Sequence, residues 1–260
     1  MTALENPTVT IAPGVDMPLV GIGTWRATGR EAHGAVLYAL EIGYRHIDTA
    51  TMYGNEREVG QALRESGVPR DEVFITTKLP SGNAGRERET IEASLAALGV
   101  EHLDLWLIHW PPGGQARPST WKAFVEARAD GLTRAIGVSN YDERQIDELI
   151  DATGVSPAVN QIMWSPALYD PEVVEALRRR GVTLEGYSPF ESMNMNDPVL
   201  REIAERHGVT PYQVVVRWHI EHGFVVIPKS SHRERIAANF DVFGFALDAS
   251  EVARIDSLGR

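Results

Sequence analysis

The chain has 260 residues, 43% of them hydrophobic, and 36 acidic residues against 25 basic ones, for a net charge of -11. That length can bury roughly three quarters of the extended surface in one core, and the acidic balance, with no dense Lys/Arg run, argues against nucleic acid or an anionic membrane as a partner. The absence of cysteine excludes disulfides, thiolate metal sites and a cysteine nucleophile.

It also suits a reducing cytoplasm. Residues 1–13 carry Glu5 and Asn6 instead of a basic stretch followed by an apolar one, and no uninterrupted apolar run reaches spanning length. A cytoplasmic protein is expected.

Taken in chain order, residues 8–18 read as two short β segments around Pro13 and Gly14, a hairpin able to plug the floor of a barrel. Then short β-rich apolar runs ending in polar residues alternate with longer segments of helical period. The strand at 19–23 precedes a helix at 31–42, that at 45–48 precedes 56–66, and that at 73–77 precedes 87–98. The strand at 103–109 leads to a helix at 120–129, 135–139 leads to 143–150, and 158–161 leads to 172–180. The strand at 183–187 precedes two helices, 198–207 and 211–221, and that at 224–227 precedes 233–239, with a last helical segment at 250–258. Thr210 followed by Pro211 is an N-cap with proline at the first helical position, while Gly43, Gly67, Gly99, Gly181 and Gly208 sit where the chain leaves helices.

Eight strand–helix units imply parallel strands with crossover helices. With no linker or low-complexity tract to divide the chain, the expected fold is α/β, one (β/α)8 TIM-barrel domain over residues 1–260 with the hairpin closing its floor. Alternation alone also permits an open doubly wound sheet.

A barrel gathers its chemistry at the carboxyl ends of its strands. In order, those ends carry Gly23-Thr24-Trp25, Asp48-Thr49-Ala50, Lys78, His109-Trp110, Ser139-Asn140, Gln161, Tyr187-Ser188-Pro189 and Lys229-Ser230-Ser231. Each is ordinary alone: a strand-end acid, a solvated lysine, a tethered tyrosine at 53, a hydrogen-bonded core histidine. Together, from different strands, they read as one assembled site.

Gly21-Ile22-Gly23-Thr24-Trp25, the run from Gly43 to Ala50 leading to Tyr53-Gly54-Asn55-Glu56, Leu107-Ile108-His109-Trp110-Pro111, Ile136-Gly137-Val138-Ser139-Asn140, Asn160-Gln161 and Ile227-Pro228-Lys229-Ser230 resemble the aldo-keto reductases. The resemblance runs over essentially the whole chain and is strongest to the bacterial branch that includes 2,5-diketo-D-gluconate reductases. It implies NADPH-dependent reduction of an aldehyde or ketone to an alcohol, without a metal.

By this resemblance the catalytic set is Asp48, Tyr53, Lys78 and His109. Hydride arriving at a carbonyl carbon puts charge on its oxygen, which needs a proton and fixed donors. Tyr53 is the expected acid, acidified by Lys78, which Asp48 holds, and His109 is a second donor to the oxygen. The Rossmann fingerprint is absent. The resemblance instead implies cofactor contacts from Thr24, Asp48, Ser139, Asn140 and Gln161, with Tyr187 on the nicotinamide ring and Ser188 and Phe190 along the pyrophosphate. Lys229, Ser230, Ser231 and Arg235 precede or open a helix and suit an adenosine 2'-phosphate, favouring NADPH over NADH. The resemblance also implies an adenine contact from Asn239, although Ala237-Ala238 stand where relatives usually carry a glutamate.

Trp25, Met52 and Trp110 are the expected apolar walls of the substrate pocket. Departures from the family are Ile162-Met163-Trp164-Ser165-Pro166, where a Glu and a His are common, Pro80 where some relatives have tryptophan, a short segment 111–119, and an end at Arg260 where many relatives continue into a loop over the pocket. The expectation is an open, permissive mouth, or a shortened chain. His219 and His222, on one helix face, lack a third ligand and read as a solvated helix end. The partners expected are a small carbonyl substrate and no other chain, the protein being a monomer. The competing reading is an idle NADP(H)-binding barrel acting as a redox sensor or regulatory subunit.

Overall fold

Strands that are apolar on both faces need cover on both sides, from a closed barrel or from helices on both faces of an open sheet. The computed structural model, which describes residues 6–259, takes the closed solution. An antiparallel hairpin of β1 (Thr8–Ala12) and β2 (Val15–Pro18) comes first. Eight parallel strands succeed it in sequential order: β3 (Ile22–Gly23), β4 (His46–Asp48), β5 (Phe74–Leu79), β6 (Leu103–Ile108), β7 (Thr133–Ser139), β8 (Val159–Met163), β9 (Thr183–Tyr187) and β10 (Val225–Val226). Bridges from Val20 to Val226 and from Gly23 to Lys229 join the first and last of these, so the ring closes. The open-sheet alternative is thereby set aside. Glu5, at the expected non-basic start, lies outside the described residues.

Helices wrap the ring: α1 (Gly29–Glu41), α2 (Glu56–Ser66), α3 (Glu87–Leu98), α4 (Pro118–Ala129), α5 (Glu143–Thr153), α6 (Pro171–Arg179), α7 (Pro198–His207), α8 (Pro211–Glu221), α9 (Arg233–Phe240) and α10 (Ala249–Asp256). Their starts obey local chemistry. Thr210 accepts from the Gln213 amide while the Gln213 side chain accepts from the Thr210 amide, a reciprocal cap that fixes where α8 begins. Trp106 of β6 lies flat on Phe124 of α4, ring centres 3.7 Å apart, a contact worth roughly 0.5–1.5 kcal/mol beyond its burial. Gly60 lets α2 approach α3 so closely that a Cβ there would collide with the Leu98 carbonyl oxygen.

Side-chain alternation along the strands divides the barrel interior into a floor and a mouth. Phe74, Leu105, Leu107, Ala135, Val159 and Val225 form one apolar cluster with Ile11, Val15, Met17 and Leu19 of the hairpin and its exit, so the hairpin does plug the floor. Counting on by twos from those floor residues toward the carboxyl ends reaches Lys78, His109, Ser139 and Gln161. The interior therefore turns from apolar to polar along the barrel axis, and β5, running on to Leu79, holds Lys78 inside the strand instead of after it.

Candidate active site

Three successive strands bring the first cluster together. Asp48 ends β4, Lys78 stands one residue before the end of β5, and His109 follows β6 directly. Lys78 is fully buried; its Nζ donates to Asp48 Oδ1 at 2.6 Å, Asp48 Oδ2 at 2.7 Å and the Thr49 carbonyl at 2.8 Å. A longer contact of 3.5 Å reaches the Tyr53 hydroxyl. Tyr53 is carried by a single 3-10 turn, Thr51–Tyr53, just past β4. Two ties hold that turn: Thr51 Oγ1 donates to the Lys78 carbonyl at 2.9 Å, and buried Asn55 donates to the carbonyls of Thr24 and Ala27 at 3.0 and 2.9 Å. The Tyr53 ring lies 5.6 Å from that of His109 and 5.0 Å from that of Trp25, centre to centre.

Burial pulls the Lys78 ammonium down, but the Asp48 carboxylate outweighs it and holds it above its ordinary value, so it is charged. Burial pushes Asp48 up, against Lys78 and Gln161. Tyr53 departs from the sequence expectation. Burial lifts the phenol above its usual value, Lys78 offsets only part of that, and the Asp48 charge, seated on the same ammonium, adds to the rise. Burial, and then Lys78, push His109 down to about 3, so its imidazole is neutral.

The next three strands supply a second cluster. Ser139 Oγ donates to the Gln161 carbonyl at 2.8 Å. Asn140 adopts the left-handed region at φ 63, which asparagine tolerates better than most residues. Its Nδ2 donates to Ser139 Oγ at 2.9 Å, and its Oδ1 accepts from the Tyr187 hydroxyl at 2.9 Å. Gln161 Nε2 donates to Asp48 Oδ2 at 2.8 Å and to Glu185 Oε2 at 2.9 Å, which links the two clusters.

A cleft of about 500 Å³ opens above both clusters, lined by Asp48, Tyr53, His109, Ser139, Asn140, Gln161 and Tyr187, with Ser188, Phe190 and Lys229 along one side. Trp25, Met52 and Trp110 form its apolar rim and are 45%, 53% and 48% exposed. A larger groove of about 870 Å³ lies at the hairpin end, where Asp104 pairs with Arg134 and with Arg70, and Arg45 with Glu72.

A sequence profile of the aldo/keto reductase family matches residues 19–196 and 190–260. The chain belongs to the aldo/keto reductase family. It is 45% identical over 257 residues to an aldo-keto reductase of Mycolicibacterium smegmatis, covering 97% of this chain and 94% of that protein. It is 41% identical over 262 residues to methylglyoxal reductase DkgA of Salmonella typhimurium, covering 99% of this chain and 95% of that one. The solved structure of a Bombyx mori aldo-keto reductase in complex with NADP superposes with a TM-score of 0.91 at 34% identity, covering 98% of this chain and 94% of that one.

Several residues expected to serve this aldo-keto reductase's cofactor lie elsewhere than the cleft. Thr24 is buried, spends its hydroxyl on the Asp48 carbonyl at 3.0 Å and is not among the residues lining the cleft. Ser230, Ser231, Arg235 and Asn239 lie on the segment leading into α9 or on that helix. Lys229 at the cleft edge already has an anion: its Nζ is 3.4 Å from Glu31 Oε1. The Ser231 hydroxyl and then Lys229 hold the Glu31 carboxyl below its usual range. Ser230 is buried, its Oγ accepting from the His232 amide at 3.1 Å.

The reading of His219 as part of a solvated helix end is corrected: it is fully buried, its Nδ1 2.8 Å from the Val215 carbonyl oxygen, while His222 bonds Asp256 at 2.9 Å. Among the described residues, no group of three or more His, Asp or Glu could hold a metal ion, and no helix is long and apolar enough to cross a membrane. The residues given no site role in the sequence reading include Glu185 and Met163. Glu185 is a fully buried acid whose signal was a lone charge inside an apolar strand. Met163 ends β8 facing the cleft, 37% exposed.

Proposed function

We propose that this chain is a single-domain reductase that converts aldehydes and ketones to alcohols with NADPH. The observation that carries the reading is the buried Lys78–Asp48 pair set beneath a tyrosine hydroxyl at the surface of the cleft. Methylglyoxal, the substrate in the Salmonella relative's name, and NADP, the ligand in the Bombyx mori structure, are carried over to this chain as part of the proposal.

The residues of the cleft fit the cofactor chemically. A hydroxyl and two amides on adjacent strands can hold a carboxamide, and with both Gln161 N–H groups engaged, its Oε1 is left to the cleft. Ser139, Asn140 and Gln161 would hold that end, Tyr187 the ring face, and Ser188 and Phe190 the pyrophosphate. Lys229, Ser230, Ser231 and Arg235 would take the 2'-phosphate, with Glu31 giving way, and Asn239 would meet adenine. When bound, a reduced nicotinamide supplies hydride to the carbonyl carbon.

Tyr53 gives its proton to the carbonyl oxygen as charge develops there. Its raised pKa in the free protein suits an acid that is protonated at rest. Once the proton leaves, the phenolate oxygen faces an ammonium 3.5 Å away, an attraction much stronger for the charged form than for the neutral one. Asp48 keeps Lys78 charged and aimed. His109, neutral, offers an N–H to the same substrate oxygen and orients it. The apolar rim of Trp25, Met52 and Trp110 suits small or aromatic carbonyl compounds.

Loss of NADPH absorbance on mixing with methylglyoxal or an aromatic aldehyde tests the reading. Cofactor binding without turnover would favour the idle sensor, against which the reductase names of relatives at 41–45% identity weigh. We also read the protein as a cytoplasmic monomer, in keeping with its lack of cysteine; light scattering during gel filtration tests the second point.

A further inference from the structure

We infer that Glu185 is a positioning residue that fixes the amide of Gln161, so that only the amide oxygen is presented to the cofactor's carboxamide. The inference rests on the proposed contact between Gln161 and that carboxamide. Glu185 lies opposite Gln161 in the β8–β9 register, and both residues face the barrel interior. The Gln161 nitrogen carries two hydrogens. Asp48 accepts one, and with that bond alone the amide could pivot about it. Glu185 accepts the second at 2.9 Å and so sets the amide plane.

Glu185 is itself braced from the opposite side. Its Oε1 has no hydrogen bond and lies 3.6 Å from Nε2 of His46. The His46 ring is held by the Pro18 carbonyl at 3.3 Å and by Gly21, where a Cβ would come within 2.5 Å of the ring. The groups around Glu185 are thus His46 and Asp48 from β4, Lys78 from β5 and Gln161 from β8. Burial, and then the Asp48 charge, push the Glu185 carboxyl up to about 8, which keeps a second negative charge away from the Lys78–Asp48 pair at neutral pH. A buried acid is costly to desolvate, and an apolar side chain here would leave one Gln161 N–H without an acceptor. Its value at this position is the hydrogen bond it accepts.

The test compares dissociation constants of NADP and its 3-acetylpyridine analogue, whose methyl replaces the carboxamide NH2, by quenching of tryptophan fluorescence. In the unmutated protein NADP should bind about 3- to 10-fold more tightly, the range of one neutral hydrogen bond. Gln161→Ala should abolish the difference; if it persists, the assignment of Gln161 to the carboxamide fails and takes this inference with it. If Gln161→Ala abolishes it, Glu185→Leu should reduce it to within about 2-fold while Glu185→Gln, which keeps an acceptor, preserves most of it. A full difference in Glu185→Leu, or equal losses in the Leu and Gln variants, would overturn the inference. One measurement needs no variant at Glu185 to fold: the side-chain amide protons of Gln161, identified by their loss in Gln161→Ala, should exchange with water far more slowly than those of exposed glutamines. Fast exchange would also overturn it.

Discussion

Replacing Lys78 by methionine removes a fully buried ammonium and leaves the Asp48 carboxylate, only 2% exposed, without its counter-charge. Three bonds of 2.6 to 2.8 Å disappear at once. Breaking a buried pair from one side costs about 3–5 kcal/mol, because the remaining charge stays desolvated. For a chain of this length that is a fall in Tm of roughly 6–20 °C at neutral pH. The pH dependence has a definite sign. In the variant, burial without Lys78 raises the folded-state pKa of Asp48 above its unfolded value of about 3.9. Stability is then retained at low pH and lost as pH rises, so the deficit should be largest near neutrality and shrink toward about pH 4. Turnover should fall by ~10²- to 10⁴-fold at every pH, because the phenolate left by Tyr53 loses its partner. Scanning calorimetry from about pH 4 to pH 8 on both proteins gives the answer. An unchanged Tm at neutral pH, or a deficit that grows toward acid, would refute the electrostatic account of the pair.

Other expectations come from separate parts of the structure. Lys229→Ala or Arg235→Ala should weaken NADPH several-fold more than NADH, measured as dissociation constants; equal losses would remove the phosphate assignment. Burial pushes His46 and His109 down to about 3 and His219 down to about 4, all below the unfolded value of about 6.5, so the stability they contribute is present above that value and lost as pH falls. From about pH 7 to about pH 5 the loss from three rings should outweigh the opposite contribution of Glu185, whose raised carboxyl stabilises as pH falls, so thermal melts should show a declining Tm, and a rising Tm would contradict neutral burial of these rings. Gly60→Ala should destabilise by about 1–3 kcal/mol because its Cβ meets the Leu98 backbone, whereas Gly34→Ala, in α1 with open space around it, should stabilise by roughly 0.4–1 kcal/mol; denaturant midpoints decide both.

The barrel was legible because its signals are local. Period-2 strands, helix caps and left-handed glycines at helix ends each depend on a few neighbouring residues, and β9 falls on residues 183–187 as expected. Asp48, Lys78 and His109 were legible as strand-end polar residues, and the structure places them around one buried ammonium. What escaped depends on partners distant in the chain. The contact between Lys229 and Glu31 spans 198 positions, and nothing near either residue announces it. Thr24 follows a strand as a cleft residue would, yet its hydroxyl turns to a neighbouring strand's carbonyl. Glu185 was passed over because its strand reads as apolar, although a lone acid there had to find a buried donor. The shift of Tyr53 depends on how much of the Lys78 charge Asp48 already neutralises, a balance set by distances.

The most direct test of the account is the single-turnover rate of NADPH oxidation by methylglyoxal in Tyr53→Phe, with NADPH affinity measured alongside. The account predicts a rate at least ~10²-fold lower with cofactor binding nearly unchanged, since only the proton is removed. A near-normal rate would contradict it, because the buried Lys78–Asp48 pair would then have no acid to serve.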